Sequence, residues 1–485
     1  MKLFSWIIGL LGLPLLFALL ITPAVHAEDT SNQILVAVPD RNGYNSIYKM
    51  DVDYGLKAQI ASIYGIGSDA QWSPAGKFIT LLNFDANTPT LTVIDADTGH
   101  KIISNQLDVM PCALPYNWSH DDEWLSYMVQ SDPEPVRKLL NMTDGTTRIL
   151  PDAGYDDIQW SVDNRYLAYH SFSSDMINPV TVWDAQSQKT LMVLDVESSY
   201  FLKWSPVGNH LAFIPTGSTN ISIYNADDNT THQYDASGMG DWSPDGKFLT
   251  LYRKDANNQT ALFVLDVFAG KTVPFDQSFE NVNVATTAAW SADGHYLAMT
   301  IRTAQGNKVW ILDLMTKRLH DTTLTTRDNE PLVWSPASNQ LAFTSDQDII
   351  GESENFTSLW VFDADHQQKH HYDVQIPLRI YMDKFEWSPT GQCLTVQSAS
   401  GKVLLDWKTG SINLTIQTLS QSSWSPDGTQ LALSSYGHNP ADIYVFNPDR
   451  NTLKNITNTP NQAEDFIGWR GGSTSNYPVF CGGEG

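Results

Sequence analysis

The chain has 485 residues, a formal net charge of −25 and 16 tryptophans. Carboxylates in that excess repel nucleic-acid phosphates, which excludes a nucleic-acid partner. Three cysteines, Cys112, Cys393 and Cys481, permit one disulfide at most and exclude a disulfide framework.

At the N-terminus Lys2 precedes an apolar run from Trp6 to Ile21, interrupted by Pro14, and Val25 and Ala27 are the small residues before Glu28. This pattern predicts a secretory signal over residues 1–27, with the mature chain from residue 28 and a secreted, periplasmic or cell-envelope location. The run is near the lower limit for a bilayer span, so an uncleaved anchor is the other reading. No later stretch is apolar enough to cross a membrane, so no integral segment is expected after cleavage.

From residue 72 onward the pair Trp-Ser recurs at Trp72, Trp118, Trp160, Trp204, Trp242, Trp290, Trp334, Trp387 and Trp424, and Trp469 follows at the same pitch before an arginine. The spacings run from 37 to 53 residues. A period in the forties without helical patterning predicts four-stranded antiparallel propeller blades. Offset four from the tryptophan is glycine in six copies, with Asp122, Asn164 and Ser338 as exceptions. That position asks for positive φ, and proline at offset two suits a type I turn, so "WSPDG" reads as a hairpin turn closing into a bulge.

The strand after each turn repeats as faithfully. Offset seven is always Ile or Leu (Ile79, Leu125 and so on to Leu431), offset nine is large and apolar, and offset eight is always Ala, Ser or Thr. Side chains alternate faces along a strand, so one face of each blade is bulky and the other nearly flat, a shape that stacks on copies of itself. A second series of apolar runs ends in Asp or Asn, from Asp51 and Asp95 to Asn447, each followed by turn formers that the terminal side chain can bond. Ten units result. Asp51 lacks a tryptophan strand and Trp469 lacks a following Asp-terminated strand, so the two chain ends complement each other. The expected fold is all-β, one propeller ring of about ten repeat units closed by a blade shared between the termini. Two smaller propellers are the alternative, because ten exceeds the usual four to eight blades.

"WSPDGKFLTLY", "WSPDGTQLALS" and "IYVFNPDRNTLKNIT" resemble the TolB-like, WD-repeat-like β-propeller family over essentially all of residues 28–485. The resemblance implies a binding platform, or the propeller half of a prolyl-oligopeptidase-type peptidase. No G-x-S-x-G elbow is present and no length remains for a hydrolase domain, which removes the peptidase.

The serines and aspartates of the turns read as structure. Ala75, Val207, Ala337 and Thr390 stand where other copies carry aspartate, and a catalytic acid is needed once, not five times. Asp pairs such as Asp95 with Asp97 and Asp363 with Asp365 sit where turns want Asp rather than at calcium-loop spacing. The cluster His366, His370, His371 reads as a solvated loop, since a zinc site needs a further ligand. No catalytic residue, metal or cofactor is assigned. Function is expected in loops between second and third strands. There Arg41, Arg137, Arg253, Lys254 and Arg302 are rare cations, and the longest loop, Ser345 to Ser358, combines Ile349 and Ile350 with Glu352. The expected function is a non-enzymatic scaffold that binds a protein or peptide, or a glycan, through this face or the axial channel. A propeller lyase or glycosidase with a site over the axis is the alternative.

Overall fold

The computed structural model describes residues 32–472 apart from 56, 65–69, 85–88, 108–115, 130, 132–135, 151–152, 172–178, 195–198, 216–217, 255–259, 275–283, 304–305, 328–329, 346–355, 378–384, 417–419, 436–440 and 460–462. The predicted signal, its cleavage point, Cys112 and Cys481 lie outside the described residues. Forty strands form ten four-stranded antiparallel sheets in a single ring, so the two-ring alternative is not realised. Blades are numbered here in chain order. Blade 1 joins Asp465–Trp469 to Gln33–Pro39, Tyr44–Asp51 and Lys57–Tyr64, and blades 2 to 10 carry the tryptophans from Trp72 to Trp424 in turn. The termini share blade 1 as expected, with Ile34 paired to Trp469 and Leu35 to Gly468.

The tryptophan strand is innermost, since such strands of neighbouring blades touch, whereas fourth strands such as Thr230–Asp235 are largely exposed. The predicted stacking is realised between blades. Ala212 on the flat face of blade 5 packs with Trp242, Leu249 and Leu251 of blade 6, and Ala432 of blade 10 packs with Ile34, Val36 and Trp469 of blade 1. Each fully buried Leu or Ile at offset seven contributes about 1.5–3 kcal/mol by leaving water.

The tryptophans tie the blades in two further ways. Each ring can stack on the residue at offset six of the preceding blade, as Phe78 with Trp118 (centroids 5.4 Å apart), Tyr166 with Trp204 (6.2 Å) and Tyr296 with Trp334 (6.0 Å). Most of the indole N–H groups also donate to the backbone carbonyl just before the preceding tryptophan. Trp204, Trp242, Trp334, Trp387 and Trp469 donate to Gln159, Lys203, Ala289, Val333 and Ser423, and Trp72 closes the circle onto Gly468 at 3.2 Å.

Offset eight decides whether that bond forms. In those six cases the preceding blade has Ala, or Leu35 in blade 1, at the facing position. Where it has a hydroxyl, the hydroxyl competes. Ser126 and Thr395 donate to the carbonyls of Asn117 and Glu386, and the indoles of Trp160 and Trp424 are buried without a partner among the described residues. Thr80 takes the Trp118 indole itself, and the Asp241 carbonyl accepts from both Thr250 and Trp290. Thr395→Ala, which installs the residue of five other blades, is therefore expected to raise stability by about 1 kcal/mol, against the usual loss for a buried truncation. Chemical denaturation measures it, and a lowered midpoint would refute the competition.

The turns explain the Ser-x-Asp pattern. In blade 6, Ser243 Oγ donates to Asp245 Oδ1 at 2.5 Å and accepts from the Phe248 N–H at 2.8 Å, while the Gly246 N–H bonds the Ser243 carbonyl at 2.8 Å. Burial pushes Asp163 and Asp293 up, but bonds from Ser161 and Ser291 and from backbone N–H groups outweigh it, so both stay below the usual carboxylate range. A general acid needs the opposite shift. Gly246, Asp122 and Asn164 have φ of 68°, 63° and 60° as expected. Ser338 does not adopt positive φ, because its Cβ would be strained there, and its hydroxyl instead meets Ser335 Oγ at 3.0 Å.

Candidate binding face

The ring has two unlike faces. One carries the tight turns and the hairpins between third and fourth strands. The other carries the hairpins between second and third strands and the connections between blades, and it is where the sequence directs attention.

The best described part of that loop face is the junction of blades 1 and 2. The hairpin after Pro39 is fixed by Asp40, whose Oδ1 accepts from the N–H groups of Asn42 (2.8 Å) and Tyr44 (2.9 Å). Gly43 has φ of 85°, and a Cβ there would lie 2.9 Å from the Tyr64 ring. Glycine thus lets the hairpin close over Tyr64, whose ring meets Tyr44 edge to face with centroids 5.3 Å apart. Blade 2 completes the cluster. Asn83 Oδ1 accepts from the Tyr64 N–H at 2.9 Å, and the Phe84 N–H donates to the Tyr64 carbonyl at 3.0 Å. Backbone bonds from both blades therefore hold Tyr64 and Phe84, which remain 41% and 40% exposed, and Arg41 stands exposed at the hairpin tip. Such an arrangement offers two ring surfaces and a cation from rigid strand ends.

The other sequence-selected residues are dispersed. Arg253 and Lys254 end a strand of blade 6. Arg253 donates to the Asp235 carbonyl at 2.7 Å, pairs with its carboxylate at 3.2 Å and covers the Phe263 ring, while Lys254 is exposed. Arg302 is exposed in blade 7. Arg137 is not on the rim, because it is 1% exposed in strand Val136–Asn141 with Nη1 3.5 Å from Ser126 Oγ. It shares strand parity with buried Leu139, which faces it inward. Ile349, Ile350 and Glu352 lie outside the described residues. Of the histidine cluster, His371 stacks on Trp360 and His366 bonds Asp363 at 3.0 Å.

Around the axis, the residues preceding each tryptophan are mixed. Lys203 of blade 5 and Asp241 of blade 6 pair at 2.5 Å, and Gln71, Asn117, Gln159 and Glu386 are part-exposed on their inner strands. Burial pushes the Asp465 carboxyl above its ordinary range, and it likewise pushes the Cys393 thiol up to about 11, so this unbridged thiol is protonated and inert at neutral pH.

Residues 157–374, from the tryptophan strand of blade 4 to the outer strand of blade 8, match the family model described as the TolB beta propeller domain. These residues are a TolB-like β-propeller domain. The repeat outside the matched residues continues the same blade in register through all ten units. No curated protein matches the chain. Similar solved structures include a eukaryotic initiation factor (15% identity, 90% of this chain and 98% of that one, TM-score 0.49). Others are TolB from Acinetobacter baumannii (14%, 60% and 63%, 0.25) and the β-propeller domain of the Trilobed protease from Pyrococcus furiosus (11%, 62% and 97%, 0.32). With all three TM-scores under 0.5, the TolB-like assignment rests on the family model and the repeat.

Proposed function

We propose that this TolB-like propeller is an exported, non-catalytic scaffold whose loop face holds a protein or peptide partner in the cell envelope. The signal-like residues 1–27 support export. The cluster of Tyr44, Tyr64 and Phe84 beside Arg41 carries the binding reading. Large aromatic surface is left in water where both neighbouring blades fix its backbone, and pre-organised aromatic and arginine groups are the usual anchors of protein recognition. A glycan could stack on the same rings, and a glycan array distinguishes the two.

The test places a photocrosslinking residue at position 41, with a second at the outer-strand position 101 as control, in the purified mature chain. Crosslinks to a discrete envelope protein from position 41 alone, lost on Tyr64→Ala/Phe84→Ala, are expected. Recovery of the same partner by the double variant at undiminished yield sinks the reading.

A further inference from the structure

The face of tight turns carries a sector that departs from the rest of the ring. In each hairpin between third and fourth strands, the residue two past the capping Asp or Asn is aspartate in blades 1, 2, 5, 8 and 10. Four of these aspartates tie neighbouring blades together. Asp53 accepts from Gln430, Asp97 from Arg470, Asp227 from Tyr166 and Asp365 from Tyr296. Blades 6 and 7 instead carry Phe268 and Met315, 66% and 78% exposed. In the adjoining turn of blade 5, Val207 is 51% exposed where five other turns carry aspartate.

The substitutions stand in three consecutive blades, and two of them meet the junction of blades 5 and 6. Val207 lies against the turn of blade 6, 3.0 Å from where a Cβ of Gly246 would stand. Phe268 meets the edge of His210, at 5.6 Å between centroids, in the place that a tyrosine and an aspartate bridge elsewhere. One exposed apolar residue on a surface needs no explanation. Three in adjacent blades, two of them at one position of the repeat in place of a bond between blades, give up stability without burying apolar area in the ring itself.

The charges beside the sector narrow the partner. Asp227 and Asp228 lie exposed next to His210, and Asp245 is exposed 3.3 Å from the Cβ position of Gly294. Lys247 is drawn over the Phe248 ring at 4.9 Å, Lys271 begins the outer strand of blade 6, and Lys317 closes the hairpin that carries Met315. With a net charge of −25, two copies of the chain repel one another. We propose that this sector of blades 5 to 7 is a second interaction surface, and that it receives a cationic amphipathic segment of a partner protein. Apolar side chains of the segment seat on Val207, Phe268 and Met315, and its Lys or Arg groups meet Asp228 and Asp245, since Asp227 is already paired with Arg165 at 3.8 Å. This surface lies on the face opposite the loop-face site and does not depend on it.

The test uses Phe268→Asp/Met315→Asp, which gives these hairpins the residue of five other blades and so favours a folded ring. The probe is a fluorescein-labelled amphipathic Leu/Lys peptide, with a Ser/Lys peptide of equal charge as control, followed by anisotropy at physiological salt. Affinity for the Leu/Lys peptide is expected to fall about tenfold or more, while the Ser/Lys peptide loses nothing. The variant adds two negative charges, so simple charge attraction predicts the opposite sign. Equal or tighter binding of the Leu/Lys peptide overturns the proposal. So does an equal loss from Tyr64→Ala/Phe84→Ala on the other face.

Discussion

Replacing Gly246 by alanine is expected to destabilise the ring by about 3 kcal/mol, whereas the same change at Gly99 costs about 1 kcal/mol. Both glycines have positive φ, 68° and 71°, so both substitutions carry the left-handed penalty of an L-residue. They differ in their surroundings. A Cβ at Gly246 would lie 2.6 Å from Ser205 Oγ and 2.7 Å from the Val207 carbonyl oxygen of the preceding blade, while nothing lies within 4 Å at Gly99. A serine hydroxyl can rotate away, but a backbone carbonyl cannot without moving the turn. Denaturant midpoints of the two variants separate the costs, and equal losses would show that the turns of adjacent blades can part freely.

Asp122→Ala is expected to cost about 3–5 kcal/mol, more than any other turn aspartate. This carboxylate is 1% exposed and reaches from blade 3 back into blade 2. There it accepts from Ser73 Oγ at 2.5 Å, from the Ala75 N–H at 3.0 Å and from the Lys77 N–H at 2.9 Å. In other blades an aspartate at offset three does part of this work from within its own turn, as Asp245 does for Ser243 and the Lys247 N–H. Blade 2 has Ala75 at that place. The double change Ala75→Asp/Asp122→Gly therefore restores the common pattern and should recover at least half of the loss. Thermal unfolding of the single and double variants decides it. A double variant no more stable than Asp122→Ala would mean that Asp122 acts otherwise than as a substitute for the missing aspartate.

The blades were legible because ten copies repeat the same physical demands. Offsets seven to nine announced a bulky and a flat face, and Ala212 against Leu249 and Leu251 shows them meeting. Offset six was missed, although the same comparison exposes it. Phe78, Trp124, Tyr166, Phe248 and Tyr296 stand there, with His210, Gln340, Cys393 and Gln430 in the other copies, and the pairing of the aromatics with the next tryptophan spans two blades, so no single repeat displays it. The indole bonds were hidden for the same reason, because their acceptors are backbone atoms of another unit.

The candidate face was harder to read. Rare cations in loops were chosen, but Arg137 sits two residues from Leu139 on the same strand and follows it inward. Tyr64 ends a strand and Phe84 directly follows one, and each blade brings only one of them. Their proximity belongs to the junction, which no local pattern encodes.

Blade 1 is made from residues more than 400 positions apart, since Ile34 pairs with Trp469, and beside it Lys454 of blade 10 reaches the carbonyls of Val52 and Asp53. Until the last strand arrives, the chain is an open arc with an unpaired edge at each end. The entropy of closing such a loop grows only with the logarithm of its length, so a ring of ten blades costs roughly 0.6 kcal/mol more to close than one of five. Size is thus a small thermodynamic burden and a large kinetic one, because the pairing with the greatest sequence separation forms last. Breathing of the folded ring should begin at this seam, and amide exchange in Gln33–Pro39 should outpace that in the second strands of blades 5 and 6.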